Sequence, residues 1–241
     1  MIELKSLSCG YFNDAVLENI NIKIDEHLTI LGANGSGKST LARSICGLLK
    51  YDGEILIDKV DIKELTMQQM AKSISYIPTK LDVYDSFITL EEFVLLGRFA
   101  HKKSFLDYSL KDKEIALQKI DLLNLTHLKE HTLVSLSSGE GQLSLIAAAL
   151  AQESKIIIFD EPTANLDPYN SKIIASYIKK LKETHQVILI THDLHLACYV
   201  DSPIAFIKEK KAYPYGRDFF DDEVLKELWG VEFHSLAVKY E

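Results

Sequence analysis

Along the first part of the chain apolar and polar residues alternate. In Ile2 to Leu7, and again in Ile20-Asn21-Ile22-Lys23-Ile24, apolar side chains recur at every second position, which predicts half-buried antiparallel strands with Tyr11 in the loop between them. A shorter apolar run, Leu28-Thr29-Ile30-Leu31, leads through a glycine-rich stretch into a helical pattern from Leu41 to Leu49. Gly53 to Asp58 reads as a strand, Met67 to Ala71 as a short helix, and Ser73 to Pro78 as a strand ended by its proline. From Leu90 to about Leu128 the period lengthens, with Leu90, Phe93, Val94 and Gly97 on one segment and Ile115, Leu117, Ile120 and Leu123 on the next. This is the pattern of a helical lobe inserted between strands of one sheet. An apolar helix then covers Leu143 to Ala151, and Lys155 to Pro162 carries the unbroken β-branched and aromatic run of a central parallel strand. A helix from about Tyr169 to Lys182 leads into the strand Val187-Ile188-Leu189-Ile190. The tail, Ile204 to Ile207 and Tyr213 to Trp229, reads as a closing strand or hairpin and a small helix. Strands alternating with helices predict right-handed crossovers and a doubly wound α/β sheet.

Composition narrows the picture. At 241 residues, 47% hydrophobic and 26% charged, the chain can bury a sizeable core, and one domain is expected. Its formal net charge of −8 gives no general basic field for a nucleic-acid backbone, so no nucleic-acid partner is expected and anion binding has to be local. Cys9, Cys46 and Cys198 are scattered, which points to free thiols and to neither a disulfide framework nor a zinc cluster. Ile2-Glu3-Leu4-Lys5 lacks the apolar core of a signal peptide and no apolar run has the length of a membrane span. Work at a membrane would then need another chain to do the spanning.

The glycine-rich stretch is Gly32-Ala33-Asn34-Gly35-Ser36-Gly37-Lys38-Ser39-Thr40, a complete P-loop in its strand-loop-helix setting. Glycines let backbone N–H groups turn toward phosphate oxygens, and the following helix adds its N-terminal partial positive charge. In this frame Lys38 reaches the β- and γ-phosphates of a triphosphate, Ser39 offers a hydroxyl to Mg²⁺, and Thr40 lies toward the α-phosphate. Asp160 and Glu161 fall at the C-terminal end of the apolar strand and His192 at the end of the next one, the edge where open α/β sheets bind ligands. Asp160 suits Mg²⁺, Glu161 suits a general base facing a water beyond the γ-phosphate, and His192 suits a donor to that phosphate. Tyr11 fits either stacking on a purine or core packing. Ser137 with Glu140 three residues on has the capping-box spacing, a structural role weighed beside any other.

Taken together these residues resemble the ATP-binding cassette ATPases. Matching stretches run in order through nearly the whole chain: the aromatic at Tyr11, the P-loop, the signature Leu136-Ser137-Ser138-Gly139-Glu140, Asp160-Glu161, the loop Ala164-Asn165-Leu166-Asp167, and His192. The resemblance implies an α/β P-loop NTPase (RecA-like) core with an antiparallel β-subdomain and an inserted α-helical subdomain. It implies a single nucleotide-binding domain over 1–241. Residues 1–80 would form the β-subdomain and the P-loop part of the core, 81–140 the helical subdomain with the signature, and 141–241 the rest of the core and the tail. It also implies that ATP and Mg²⁺ bind, that a second copy pairs head to tail, and that Asp167 lies at the seam. In that pair Ser137, Ser138, Gly139 and Glu140 close over the partner's ATP, an anion site expected to find nothing to bind in its own subunit.

Two departures from the family pattern stand out. Ser138 replaces a usual glycine, with Gly141 where Arg or Lys is common, and Thr79 follows Pro78 where a glutamine is usual. Thr79 is too short for that glutamine's reach to Mg²⁺ and the attacking water, so slower or differently coupled hydrolysis is expected. The strings Leu95-Leu96-Gly97-Arg98, Phe99-Ala100-His101, Leu150-Ala151-Gln152 and His192 to Ala197 are similar to those of bacterial importers for iron-siderophore, haem and cobalamin. This implies a peripheral subunit on the cytoplasmic face of the inner (cell) membrane, driving a separate polytopic permease fed by an extracytoplasmic binding protein. Iron chelate leads as solute, with cobalamin, haem or another metal as alternatives. A soluble cassette ATPase without a transporter and a nucleotide-binding scaffold that has lost catalysis are the rivals.

Overall fold

The alternating N-terminal segments pair as an antiparallel hairpin, β1 (Ile2–Tyr11) and β2 (Asp14–Ile24), in register from Ile2 opposite Ile24 to Tyr11 opposite Asp14. Tyr11 therefore lies at the end of a strand and not in a loop. The alternation is broken beyond Leu4 by register shifts, and Ser6 turns to a φ of +47°, so the strand continues where the two-residue period stops. These features belong to a computed structural model that describes residues 1–12, 14–83, 85–102, 107–229 and 240. The chain divides into two units, one of Met1–Glu64 with Ala175–Glu241 and the other of Leu65–Ile174.

In the first unit β3 (Leu28–Gly32), buried throughout, delivers the P-loop to α1 (Lys38–Ile45). The helix begins three residues before the apolar pattern does and stops before Gly47, whose φ of +67° cannot continue it. β4 (Tyr51–Ile57) pairs with the other side of β1, and β5 (Val60–Asp61) with β4, completing the antiparallel sheet β2-β1-β4-β5.

The second unit opens with α2 (Met67–Ser73) and β6 (Ile74–Ile77), followed by α3 (Leu90–Leu96), α4 (Leu110–Leu122) and α5 (Ser138–Ala151). The first three helices each start with a closed capping box: Thr66 with Gln69, Thr89 with Glu92 and Ser109 with Asp112. β7 (Ile156–Asp160) is buried at every position, as its apolar run predicts, and pairs parallel with β6 from Ile74 opposite Ile156 to Ile77 opposite Phe159. The unit boundary falls within α6 (Pro168–Leu181).

Back in the first unit, β8 (Gln186–Ile190), α7 (Leu194–Val200), β9 (Ile204–Lys208), β10 (Lys211–Tyr215) and α8 (Asp222–Trp229) complete the chain. β3 runs parallel to both β8 and β9, while β10 returns antiparallel as a hairpin. The Lys182 ammonium donates to the carbonyls of Val200 at 2.6 Å and Asp201 at 2.7 Å, neutralising the partial negative end of α7. Leu31, Leu194, Ala197, Ile204, Phe206, Phe219 and Leu225 form a buried cluster behind these strands. Each large side chain in it is worth about 1.5–3 kcal/mol of removal from water.

Candidate functional site

The phosphate loop begins where β3 ends. Gly37 stands at the start of α1 with a φ of +104°, and a Cβ there would come within 2.8 Å of Val16 Cγ1, so only glycine fits. Its N-cap, Gly37, brings no side chain to cap α1, whose first-turn N–H groups face the loop. Lys38 is buried, and its ammonium turns back to donate to the carbonyls of Gly32 at 2.9 Å and Ala33 at 3.1 Å. Ala33, Asn34 and Gly35 are exposed, Ser36 and Ser39 half-buried, and Thr40 buried. Such a loop offers backbone donors and one cation to an anion.

Two other predicted residues of this unit are placed by neighbouring elements. Tyr11 is 41% exposed, and Arg43 in the last turn of α1 donates to its phenol oxygen at 3.4 Å. It lines an open cavity of about 1090 Å³ with Cys9, Leu49 and Tyr51, whose wall includes none of the residues Gly32 to Thr40. His192 is exposed on the turn between β8 and α7. Its neighbour Asp193 caps α7, accepting from the N–H groups of His195 at 2.8 Å and Leu196 at 3.3 Å, and Tyr240 donates to the other carboxylate oxygen at 2.8 Å. Neither Asp193 as a cap nor Tyr240 was singled out by the sequence. The Asx spacing ahead of an apolar helix signals the first, and nothing local signals the second.

In the second unit Asp160 ends β7 with 2% exposure, and the Tyr76 phenol donates to its Oδ2 at 2.6 Å. Glu161 follows with a φ of +49°, a left-handed conformation that costs a non-glycine residue on the order of 1–2 kcal/mol. The turn behind it is fixed by the Ala164 N–H, which donates to the Glu161 carbonyl at 3.1 Å. Thr79 is half-buried just beyond β6.

The signature stretch forms the start of α5, five residues before the apolar pattern begins. Ser137 closes a capping box within its own chain. Its hydroxyl donates to Glu140 Oε2 at 2.7 Å, its N–H donates to the same oxygen at 2.8 Å, and the Glu140 N–H points back at the hydroxyl at 3.4 Å. These bonds hold the Glu140 carboxyl below the usual carboxylate range. The expectation that Ser137 has nothing to bind in its own subunit is thus corrected: a carboxylate three residues along takes its hydroxyl and its N–H. Ser138 is exposed, and Gly139 is buried against Asn170, whose side chain a Cβ would strike at 2.5 Å. Asn170 in turn binds Asp167, which accepts from the N–H groups of Tyr169 at 2.9 Å and Asn170 at 3.0 Å. The Asn170 bonds, first among the causes, hold the Asp167 carboxyl below its ordinary value. Asp167 and the signature are therefore one connected patch. A Cβ at Gly141 would meet Leu81 at 3.8 Å, ordinary contact distance, so the position has room for a side chain.

The strings 95–101 and 150–152 meet at the other end of α5. Arg98, 4% exposed, donates to Asp112 Oδ1 at 3.0 Å, to the Ala151 carbonyl at 2.7 Å and to Glu153 Oε2 at 2.6 Å. His101 contacts the Gln152 carbonyl at 2.8 Å, and the Gln152 amide donates to the carbonyls of Ala71 and Ile74. Gly97 lets this segment approach α5, since a Cβ would lie 2.3 Å from the Ala148 carbonyl oxygen.

Residues 17–164 match the family model described as ABC transporter. The chain is 31% identical over 238 residues to the petrobactin import ATP-binding protein FpuD of Bacillus anthracis, covering 96% of this chain and 87% of that protein. It is 35% identical over 250 residues to the phosphonates import ATP-binding protein PhnC 1 of Halalkalibacterium halodurans, covering 95% of each. A solved inward-facing ABC transporter described as of the metal-chelate type superposes with a TM-score of 0.83 at 28% identity, over 96% of this chain and 89% of that one.

Proposed function

Because this chain belongs to the ABC transporter family, we propose that it powers uptake of a metal chelate, iron-siderophore foremost, through a separate polytopic permease fed by an extracytoplasmic binding protein. It is an ATPase with the P-loop NTPase fold of the family's cassettes, built with an antiparallel β-subdomain and an inserted helical subdomain. The observation that carries the metal-chelate reading is the likeness to the metal-chelate type transporter over 96% of the chain, and the petrobactin relative supports it. The phosphonate relative at 35% identity supports only the coarser reading, an importer ATPase. Among the described residues no helix is long and apolar enough to cross a membrane. In the proposed role the chain attaches through the permease, peripherally at the cytoplasmic face of the cell membrane.

The roles follow from donor chemistry. Lys38 and the N–H groups of the loop and of α1 bind the β- and γ-phosphates, and Tyr11 stacks on adenine. Asp160 and Ser39 present hard oxygen donors suited to Mg²⁺. Mg²⁺ keeps part of its hydration shell, so two protein donors beside waters and phosphate oxygens suffice. When bound, Mg²⁺ neutralises charge developing on the phosphates. Glu161 orients and deprotonates the attacking water, His192 donates to the γ-phosphate, and Ser137 to Glu140 of a second copy close over the nucleotide. Thr79, lacking the usual glutamine's reach, slows or loosens coupling.

Phosphate release by the purified chain, with Glu161→Gln as control, followed by the assay with the permease in liposomes, tests this. Hydrolysis lost in the Glu161 variant and raised by the permease, with uptake of ferric siderophore and not of phosphonate or Mn²⁺, is the expected result. Uptake of phosphonate would overturn the solute class. Hydrolysis indifferent to every permease would overturn the importer reading.

A further inference from the structure

Asp160 is a carboxylate almost entirely withdrawn from water, and such a group keeps one orientation only if donors fix it. The terminal torsion of an aspartate is otherwise broad, and a carboxylate that swings is a poor partner for Mg²⁺, which demands near-octahedral geometry. Tyr76, 84 residues away in sequence, donates its phenolic proton to Oδ2 at 2.6 Å, the length of a charge-assisted O–H···O⁻ bond. The backbone ladder enforces the meeting: Tyr76 lies opposite Ile158 in the parallel β6–β7 pair, two residues short of the strand end that carries Asp160. A phenol also suits the task chemically, because it fixes the carboxylate without a positive charge that would repel a divalent cation, as a lysine or arginine would.

On these grounds, and resting on the nucleotide reading above, we infer that Tyr76 is a positioning residue for the metal: it orients Asp160 toward Mg²⁺ and does not touch the nucleotide. Tyr76 precedes Thr79 by three residues on the same strand and its exit. In a chain without the usual glutamine, it supplies a connection from that segment to the metal-side carboxylate.

The test is Tyr76→Phe in the full chain, with Mn²⁺ as a paramagnetic stand-in titrated by EPR in the presence of ATP, beside ATP binding in EDTA. Loss of a donor behind a metal ligand weakens metal affinity roughly 10–100-fold. That loss is expected here, with metal-free ATP affinity unchanged. Ser75→Ala, which removes the 2.9 Å contact with Ser154 one position away and leaves Asp160 untouched, is expected to keep Mn²⁺ affinity and controls for damage to β6. Mn²⁺ affinity of Tyr76→Phe within twofold of wild type would overturn the inference, as would an equal loss of metal-free ATP binding. A wild-type chain that binds neither ATP nor Mn²⁺–ATP would instead overturn the nucleotide reading, and this inference with it.

Discussion

The helices α1 and α5 begin in opposite ways. Each leaves N–H groups at its start that no earlier turn can accept. α5 answers with Ser137 and the Glu140 carboxylate from its own sequence, whereas α1 opens on Gly37 with no side-chain cap and Lys38 folded toward the loop. An anion arriving at α1 meets backbone donors with no N-cap side chain in front of them, and a cation. One arriving at α5 meets donors already shared with a carboxylate, beside an exposed Ser138. In the proposed function the first end holds the triphosphate by itself, and the second adds a weaker, releasable contact once something else has placed the ligand.

That contrast can be broken at several points. Lys38→Ala is expected to cut ATP hydrolysis at least about 100-fold, roughly 3 kcal/mol of lost charge stabilisation, with little change in melting temperature. Phosphate release and calorimetry check it, and an active variant would mean α1 alone suffices. Ser137→Ala should lower hydrolysis by roughly tenfold while leaving ATP affinity of the isolated chain unchanged, and should cost about 1 kcal/mol of stability through the lost cap. Mixing the Lys38→Ala and Ser137→Ala chains should restore hydrolysis above either alone, because one intact composite site forms per mixed pair. No gain on mixing would deny that the α5 end works on a partner. The smallest effect is Glu140→Gln. With its carboxyl held below the ordinary 4.5, Glu140 contributes stability that is fully present above pH 4.5 and fades as pH falls through the lowered value. The stability difference between wild type and variant should accordingly shrink below pH 4.5 in urea titrations.

What could be read from residue order was whatever is local in the chain. The P-loop glycines, the buried run of β7 and the Ser137–Glu140 spacing act within a few residues, so pattern and chemistry coincide. Tyr11 was misplaced because bulges in β1 interrupt the period that would have extended the strand. The Tyr76–Asp160, Tyr240–Asp193 and Arg98–Ala151 contacts join residues 84, 47 and 53 positions apart, and only strand pairing and helix packing bring them together. Even the Ser137 box was half legible: spacing predicted the cap, but not that it would occupy the group expected to wait for a partner's ligand.

The clasp of Gly97, Arg98 and Gln152 grips the C-terminal end of α5, while Asn170 against Gly139 braces its first turn. The helix has 14 residues, a rod of about 20 Å at ~1.5 Å per residue, held at both ends. A tilt of about 3° about the clasp would carry Ser137 roughly 1 Å, as much as separates a good hydrogen bond from none. The clasp and the Asn170 brace thereby set, between them, the tolerance to which the start of the rod is aimed.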